Sequence, residues 1–208
     1  MYRNAKTDSL ALRLNDIELA NSLTDAQRRE LLDRMHEMEA QGYDLVQADG
    51  TMELLIREAR TPGARPYEVT GFEVTTRMTG ANETSSRAAV SVRVNDAVLA
   101  HEANCNGPIE AMDRALRGCL AYLYPELLKV TLTDYLVHIL EPRRSVASRA
   151  AVFIEWSTGD KVWRTNGVSD NVIEASWRAL TGSVTLELLR LGERDESVYG
   201  VIDDSWAV

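Results

Sequence analysis

Two different periods of apolar residues run along this chain. From Thr24 to about Gln41, Leu31, Leu32, Met35 and Met38 recur at helical spacing on an otherwise charged segment, which predicts a helix buried along one stripe. Thr24-Asp25-Ala26-Gln27 has the form of a capping box, in which hydroxyl and amide side chains satisfy free N–H groups at a helix start. Gly42 can take the left-handed conformation that ends the helix. A second helix is predicted from about Gly50 to Ala59, with Met52, Leu54, Leu55 and Ile56. Upstream, Leu10, Leu12, Leu14, Ile17 and Leu19 fit a short helix or an ordered arm. Met1 followed by such an arm is compatible with a native start. Pro62-Gly63-Ala64-Arg65-Pro66 then breaks the chain, so residues 1–62 read as a small helical subdomain.

Beyond that break the period changes to alternation, as in a sheet with one buried face. Tyr67–Met78, Arg87–Val94 and Ala97–Asn104 read as three strands, the last two joined at Asn95-Asp96, residues that tolerate positive φ in a tight hairpin. A small-residue loop, Asn104-Cys105-Asn106-Gly107, leads into a helix starting at Pro108. The same plan follows again: strands at Leu132–Leu140, Arg149–Trp156 and Lys161–Asn166, then a helix from about Asn171. Ile109-Glu110-Ala111 returns as Ile173-Glu174-Ala175, an offset of 64, and Ser86-Arg87-Ala88-Ala89-Val90 returns as Ser148-Arg149-Ala150-Ala151-Val152, an offset of 62. The chain is a duplication of strand-strand-strand-helix units, about 67–128 and 129–192, with a C-terminal tail. Neither sheet can cover its apolar face alone, so the two units are expected to pack around a pseudo-two-fold axis. The fold class is α+β.

Composition narrows the function. The net charge of −9 argues against nucleic acid, whose binding rests on clustered Lys and Arg. No apolar run reaches bilayer length and no signal-peptide core follows the N-terminus, so a cytoplasmic location and no membrane partner are expected. Cys105 and Cys119 are expected to be free thiols. His36, His101 and His138 fall in different elements without ligand spacing, so no metal site and no cofactor are expected. His101 and Cys105 can be drawn as base and nucleophile, but they lack a third group to orient them, and a structural reading outranks that one.

The turn before Pro108 offers clearer chemistry. A helix start leaves backbone N–H donors free, its dipole favours an anion, and Gly107 permits close approach. Glu110 in the same first turn repels a phosphate but suits a zwitterion, whose carboxylate takes the amides while its ammonium meets Glu110. The alternative is that Glu110 only caps its own helix, as Glu174 would at the repeated position.

Four ordered motifs favour the first reading: Gly42-Tyr43 with Ala48, Asn106-Gly107-Pro108 with Ala111 and Arg114-Ala115-Leu116, Asp134-Tyr135 with Val137 and Ile139, and Trp163 with Thr165, Gly167-Val168-Ser169, Asn171, Ile173-Glu174-Ala175-Ser176-Trp177 and Ala179-Leu180. Together they resemble the C-terminal regulatory part of citramalate and 2-isopropylmalate synthases, over nearly the whole chain from about residue 30. The resemblance implies that residues 63–208 form an allosteric domain that dimerises and binds a branched-chain amino acid for feedback inhibition. It places the effector's polar end on Asn106, Gly107, Ile109 and Glu110, and its side chain against Leu132, Tyr135, Ile139, Ser148 and Ala150 of the second unit. For Leu132 and Ile139, plain core is the competing role. The family has Gly where Cys105 stands. The second turn, Gly167–Asn171, implies a mainly structural role or a second, degenerate site. The catalytic barrel of these synthases is absent from this sequence, so the chain alone is expected to carry no catalytic residues. A barrel domain or subunit is the implied partner, beside an amino-acid effector and a second copy. Two alternatives remain: a free-standing paralogue turned to another small acid or a new reaction, and a dimerisation partner without a ligand.

Overall fold

The computed structural model describes residues 2–80, 83–140 and 148–199; Met1 and the expected tail from residue 200 onward lie outside them. Three helices come first, α1 (Tyr2–Asp16), α2 (Asp25–Ala40) and α3 (Asp49–Arg60). Thr24 and Gln27 form the capping box at the start of α2, and Gly42 ends that helix with φ +102°. Leu10, Leu14, Leu31, Met35, Leu45, Met52, Leu55 and Ile56 bury together as the core of this helical part. Of the short helix or ordered arm expected at the N-terminus, the chain forms the helix, which contributes two fully buried leucines.

The chain then builds β1 (Glu68–Thr79), β2 (Glu83–Val94), β3 (Ala97–Cys105) and α4 (Pro108–Leu120). A connector with a 3-10 turn at Pro125–Lys129 leads to β4 (Thr131–Ile139), β5 (Ala150–Ser157), β6 (Val162–Ser169) and α5 (Val172–Tyr199). Each unit is a three-stranded antiparallel sheet in sequence order followed by a helix, as the duplication implied. The registers repeat too: Ser91 faces Ala100 in the first sheet, and Glu155 faces Arg164 in the second, both strands shifted by 64. Asn95, at φ +52°, turns the β2–β3 hairpin. The second strand starts at Glu83, earlier than the alternation suggested, and α5 continues well past residue 192.

One core joins the units. Ala88, Val90 and Val92 of β2 pack with Ala111, Met112, Ala115 and Leu116 of α4, and Val152, Ile154 and Trp156 of β5 pack with Ala175, Ala179 and Leu180 of α5. The helices touch one another, and Phe72 of β1 stacks on Trp177 of α5, ring centroids 4.2 Å apart and planes 9° from parallel, so each unit borrows cover from the other. The outer faces differ. On the second sheet, Ala151, Phe153 and Val168 bury against Ala48, with Tyr43 and Leu140 beside them. The equivalent face of the first sheet carries exposed ion pairs, Arg87 with Glu102 and Arg93 with Glu68.

Candidate functional site

The two loop-to-helix turns, alike in sequence, differ in how they satisfy their own polar groups. At the second, Asn171 caps α5 by accepting from Ile173 N (2.9 Å). Ser169 Oγ accepts from Asn171 N (3.1 Å) and donates to Glu174 (2.6 Å). Glu174 accepts from Arg178 (2.6 Å), which also donates to Val168 O (2.7 Å). The Ser169 hydrogen bond, then Arg178, holds the Glu174 carboxyl below its usual range. A cavity of about 230 Å³ lies beside this turn, between Gln41, Arg149 and these residues, but the helix start itself is closed by its own side chains.

The first turn has none of this closure. Gly107 stands at the N-cap position with φ −113°, and no side chain caps α4. Pro108, at the start, has no N–H to offer. A methyl group on Gly107 would meet nothing within 4 Å, so the glycine faces open space and nothing in the described chain requires it. Where Ser169 knits the second turn together, the first has Cys105, half-buried and a free thiol. Burial, then the nearby Glu110 carboxylate, pushes that thiol up against the opposing pull of Arg114, which disfavours the thiolate a nucleophile needs. The ring of His101 lies against α4 at Gly118, where a Cβ would overlap it. Both residues of the imagined pair thus have structural surroundings.

Glu110 is exposed and pairs with Arg114 one turn on (2.7 Å). It does not act as the N-terminal cap, and both members of this pair are exposed to solvent. Asn106 is exposed, and Gly107 and Ile109 are half-buried, Ile109 resting on the shared core. Below it in α4, Asp113 is buried and paired with Arg117, whose other nitrogen donates to Val130 O (2.5 Å) and pins the connector to the helix. Burial outweighs Arg117 here and raises the Asp113 carboxyl.

In the second unit, Leu132 and Tyr135 are three residues apart, which in a regular strand would put them on opposite faces. A bulge between Leu132 and Asp134 shifts the register, so Leu132 faces Trp156 and Tyr135 faces Ile154, both on the inner side. Tyr135 OH and Ser176 Oγ are 2.8 Å apart, and Ser176 donates to Val172 O (2.7 Å) in the first turn of α5. Ile139 ends the strand 54% exposed, Ser148 is half-buried and Ala150 is buried at its pairing position opposite Ile139. The inner-face group therefore runs from core at Ala150 to open surface at Ile139. Larger cavities, about 580 and 450 Å³, lie elsewhere, where the helical part meets the two units.

Sequence reasoning missed the residues that fasten the helical part to the second unit. Asp49 accepts from Arg164 N (2.8 Å) and Thr51 accepts from Asn166 N (2.8 Å), so two side chains two residues apart take two successive outward N–H groups of β6. Gly50 lies between them, and a Cβ there would come 2.7 Å from Trp163 and 2.9 Å from Arg164 O. Only glycine allows this approach. Further along α3, Glu53 receives both a 2.9 Å and a 2.5 Å bond from Arg190 of α5, and Arg57 joins it. Burial opposes ionisation of Glu53, but the Arg190 and Arg57 contacts outweigh it and hold the carboxyl below its usual range. Arg190 also lies over the Trp163 ring, 4.8 Å from its centre. The only local signal for this clamp was Asp-Gly-Thr at a helix start, which reads as ordinary capping.

Among the described residues no group of three or more His, Cys, Asp or Glu could hold a metal, and no helix is long and apolar enough to cross a membrane. Comparison with known proteins gives one consistent result. The profile of the LeuA allosteric (dimerisation) domain matches residues 46–187. The chain is 38% identical over 163 residues to an (R)-citramalate synthase of Streptomyces coelicolor, covering 78% of this chain and 30% of that protein. It is 36% identical over 188 residues to an (R)-citramalate synthase of Synechocystis, 86% of this chain and 34% of that one. A 2-isopropylmalate synthase of Parafrankia matches at 31% over 144 residues, 67% of this chain and 23% of that protein. The chain thus spans about a third or less of the length of these relatives.

Proposed function

Because the chain belongs to the LeuA allosteric (dimerisation) domain family, whose model covers residues 46–187, we propose that it is the effector-binding part of a feedback-inhibited synthase of the citramalate or 2-isopropylmalate type. In this reading the chain works as a dimer, with a catalytic barrel supplied by the same or another polypeptide, and takes a branched-chain amino acid at the first turn. The open start of α4 carries it: the duplicated start of α5 is sealed by Asn171, Ser169 and Glu174, while α4 has no side-chain cap and free space over Gly107. The effector's carboxylate would take the first free N–H groups of α4 beside Asn106, Gly107 and Ile109, and its ammonium would meet Glu110. Drawing Glu110 from Arg114 costs little, since an exposed pair is worth ~0–1 kcal/mol. The apolar side chain would face Leu132, Tyr135, Ile139, Ser148 and Ala150, and the exposed end of that group at Ile139 leaves room for a ligand of variable length.

Inhibition then follows from differential affinity. An effector bound more tightly in one arrangement of the dimer shifts the population toward it, and the attached barrel reads the shift. Isothermal titration calorimetry with leucine, isoleucine, valine and the related 2-oxo acids tests the reading. Binding of one amino acid, and its weakening by ~5–150-fold in Glu110→Ala, is the expected result. Absence of heat with every member of the panel refutes the effector role, and equal affinity in the variant removes Glu110 from the site.

A further inference from the structure

A three-stranded sheet has two edges, and an exposed edge is a row of unpaired N–H and C=O groups that will take up another strand unless it is blunted. The two sheets here have four edges, of which two carry a bulge and one is capped by side chains. Both β1 and β4 carry register shifts near their starts, at Val69/Gly71 and Leu132/Asp134, beyond which β1 pairs regularly over Gly71–Thr79, and such bulges twist that end of an edge away from flat pairing. The outward N–H groups of β6 at Arg164 and Asn166 are occupied by Asp49 and Thr51. Among the described residues the fourth edge, β3, has no such device. It pairs with β2 without interruption from Ala97 to Cys105, contains neither Pro nor Lys, and its outer-face residues Val98, Ala100, Glu102 and Asn104 are all exposed. The shared offset of 64 makes Ala100 and Glu102 the counterparts of Arg164 and Asn166, so their N–H groups point outward as well.

We propose that β3 is the surface on which a second copy of this chain pairs, β3 against β3 antiparallel, joining the two first-unit sheets into one of six strands. The sequence of the strand selects both the partner and the register. Outward N–H groups at even-numbered positions must face one another, and a two-fold axis at Ala100 does this with Ala100 opposite Ala100, Glu102 opposite Val98 and His101 opposite Leu99. Shifting the axis to His101 sets imidazole against imidazole, and shifting it to Glu102 sets carboxylate against carboxylate. Moving it to Leu99 brings Asp96 opposite Glu102. Like charges directly opposite destabilise a strand pair, and of these four registers the Ala100 one alone avoids close pairs of titrating or like-charged groups. Glu102 would then stand beside Val98 of the other copy, in the same row as that copy's Arg93, which already faces Val98 across the ladder. The outer face of the joined sheet therefore alternates acid and base across the seam.

The pairing builds on the dimer in the functional reading above and is independent of any effector. Sedimentation velocity of the chain, with substitutions on the two edges, tests it. The chain should sediment as a dimer. Ala100→Lys places two ammonium groups across the axis and should raise the dimer dissociation constant by ~100-fold, with the circular dichroism spectrum unchanged. Val162→Lys, on the strand whose edge α3 covers, should leave association as it was. In a Cys105→Ser background, Ala100→Cys should form an intermolecular disulfide on mild oxidation, because residues facing in a hydrogen-bonded pair stand ~5.5 Å apart at Cα, within disulfide reach. Glu102→Cys, facing Val98, should cross-link less. A monomeric parent chain across the micromolar range overturns both this pairing and the dimer of the functional reading. A dimer as tight in Ala100→Lys as in the parent, or no disulfide from Ala100→Cys, overturns the pairing alone and leaves effector binding untouched.

Discussion

Gly107 has ordinary extended backbone and faces open space, so neither conformation nor packing within the chain demands a glycine there. That makes it informative. Gly107→Ala should change the stability of the free chain by no more than ~0.5 kcal/mol, as expected of a surface change. If the effector's carboxylate comes down on this turn, the added methyl group stands in its path, and affinity should fall at least tenfold by calorimetry. A variant that binds as well as the parent would move the ligand away from the turn. Tyr67 makes a second prediction, about pH. Its hydroxyl is buried, with Thr181 O and Thr185 as partners at 3.3 Å, and burial, partly offset by Thr185, pushes its ionisation up to about 12 from 10. A raised value means the fold prefers the neutral form. Its contribution is complete below pH ~10 and is lost as the pH rises toward 12, by about 3 kcal/mol in full. Tyr67→Phe should flatten that alkaline loss in denaturant titrations followed across pH 9–12.

The clamp between α3 and α5 concerns how elements are held. Removing one member of a mostly buried ion pair leaves the other charged and undersolvated. Glu53→Gln should therefore destabilise the chain by ~3 kcal/mol in urea, whereas Arg34→Gln, at an exposed pair with Glu58, should cost under ~1 kcal/mol. Because Glu53 is held ionised below the usual carboxylate range, its stabilisation is present at neutral pH and is lost as the pH falls below that range. The acid limb of the stability profile should be shallower in the variant. This clamp also marks where sequence reading stopped. The capping box at Thr24, the stop at Gly42, the Asn95 turn and the repeat at 64 residues were all legible, because each is a relation between neighbours or between identical words. The bulge after Leu132 was not, since nothing in Thr133-Asp134 distinguishes an extra residue from a regular one. Nor were the bonds from Asp49 and Thr51 to β6, which join positions more than a hundred apart. For the site, the sequence marked a helix start with a glycine and an acid. That one start is closed and the other open depends on Ser169 against Cys105 and Asn171 against Gly107, a difference whose meaning appears only when both turns are seen folded.

The arrangement of the parts gives the helical segment a second task beyond linking. Its own core is small, and it meets the second unit through Ala48 against Ala151, Phe153 and Val168, through the capped edge of β6, and through the Glu53–Arg190 pair. Among the described residues the outer face of the first unit has no comparable cover, being built of exposed ion pairs. Deleting residues 1–62 would thus expose an apolar patch and an unblunted strand edge on one unit only. The shortened chain should keep its far-ultraviolet circular dichroism, because the core shared by the two units remains, but should aggregate at concentrations where the full chain stays clear. Adding Phe153→Lys to the deletion should restore solubility by placing a charge on the bared face. If the shortened chain is as soluble as the parent without that change, the helical segment is a tether rather than a cover. If it loses its secondary structure altogether, the segment is part of the folding unit, and the break at Pro62–Pro66 is a bend within one domain rather than a boundary between two.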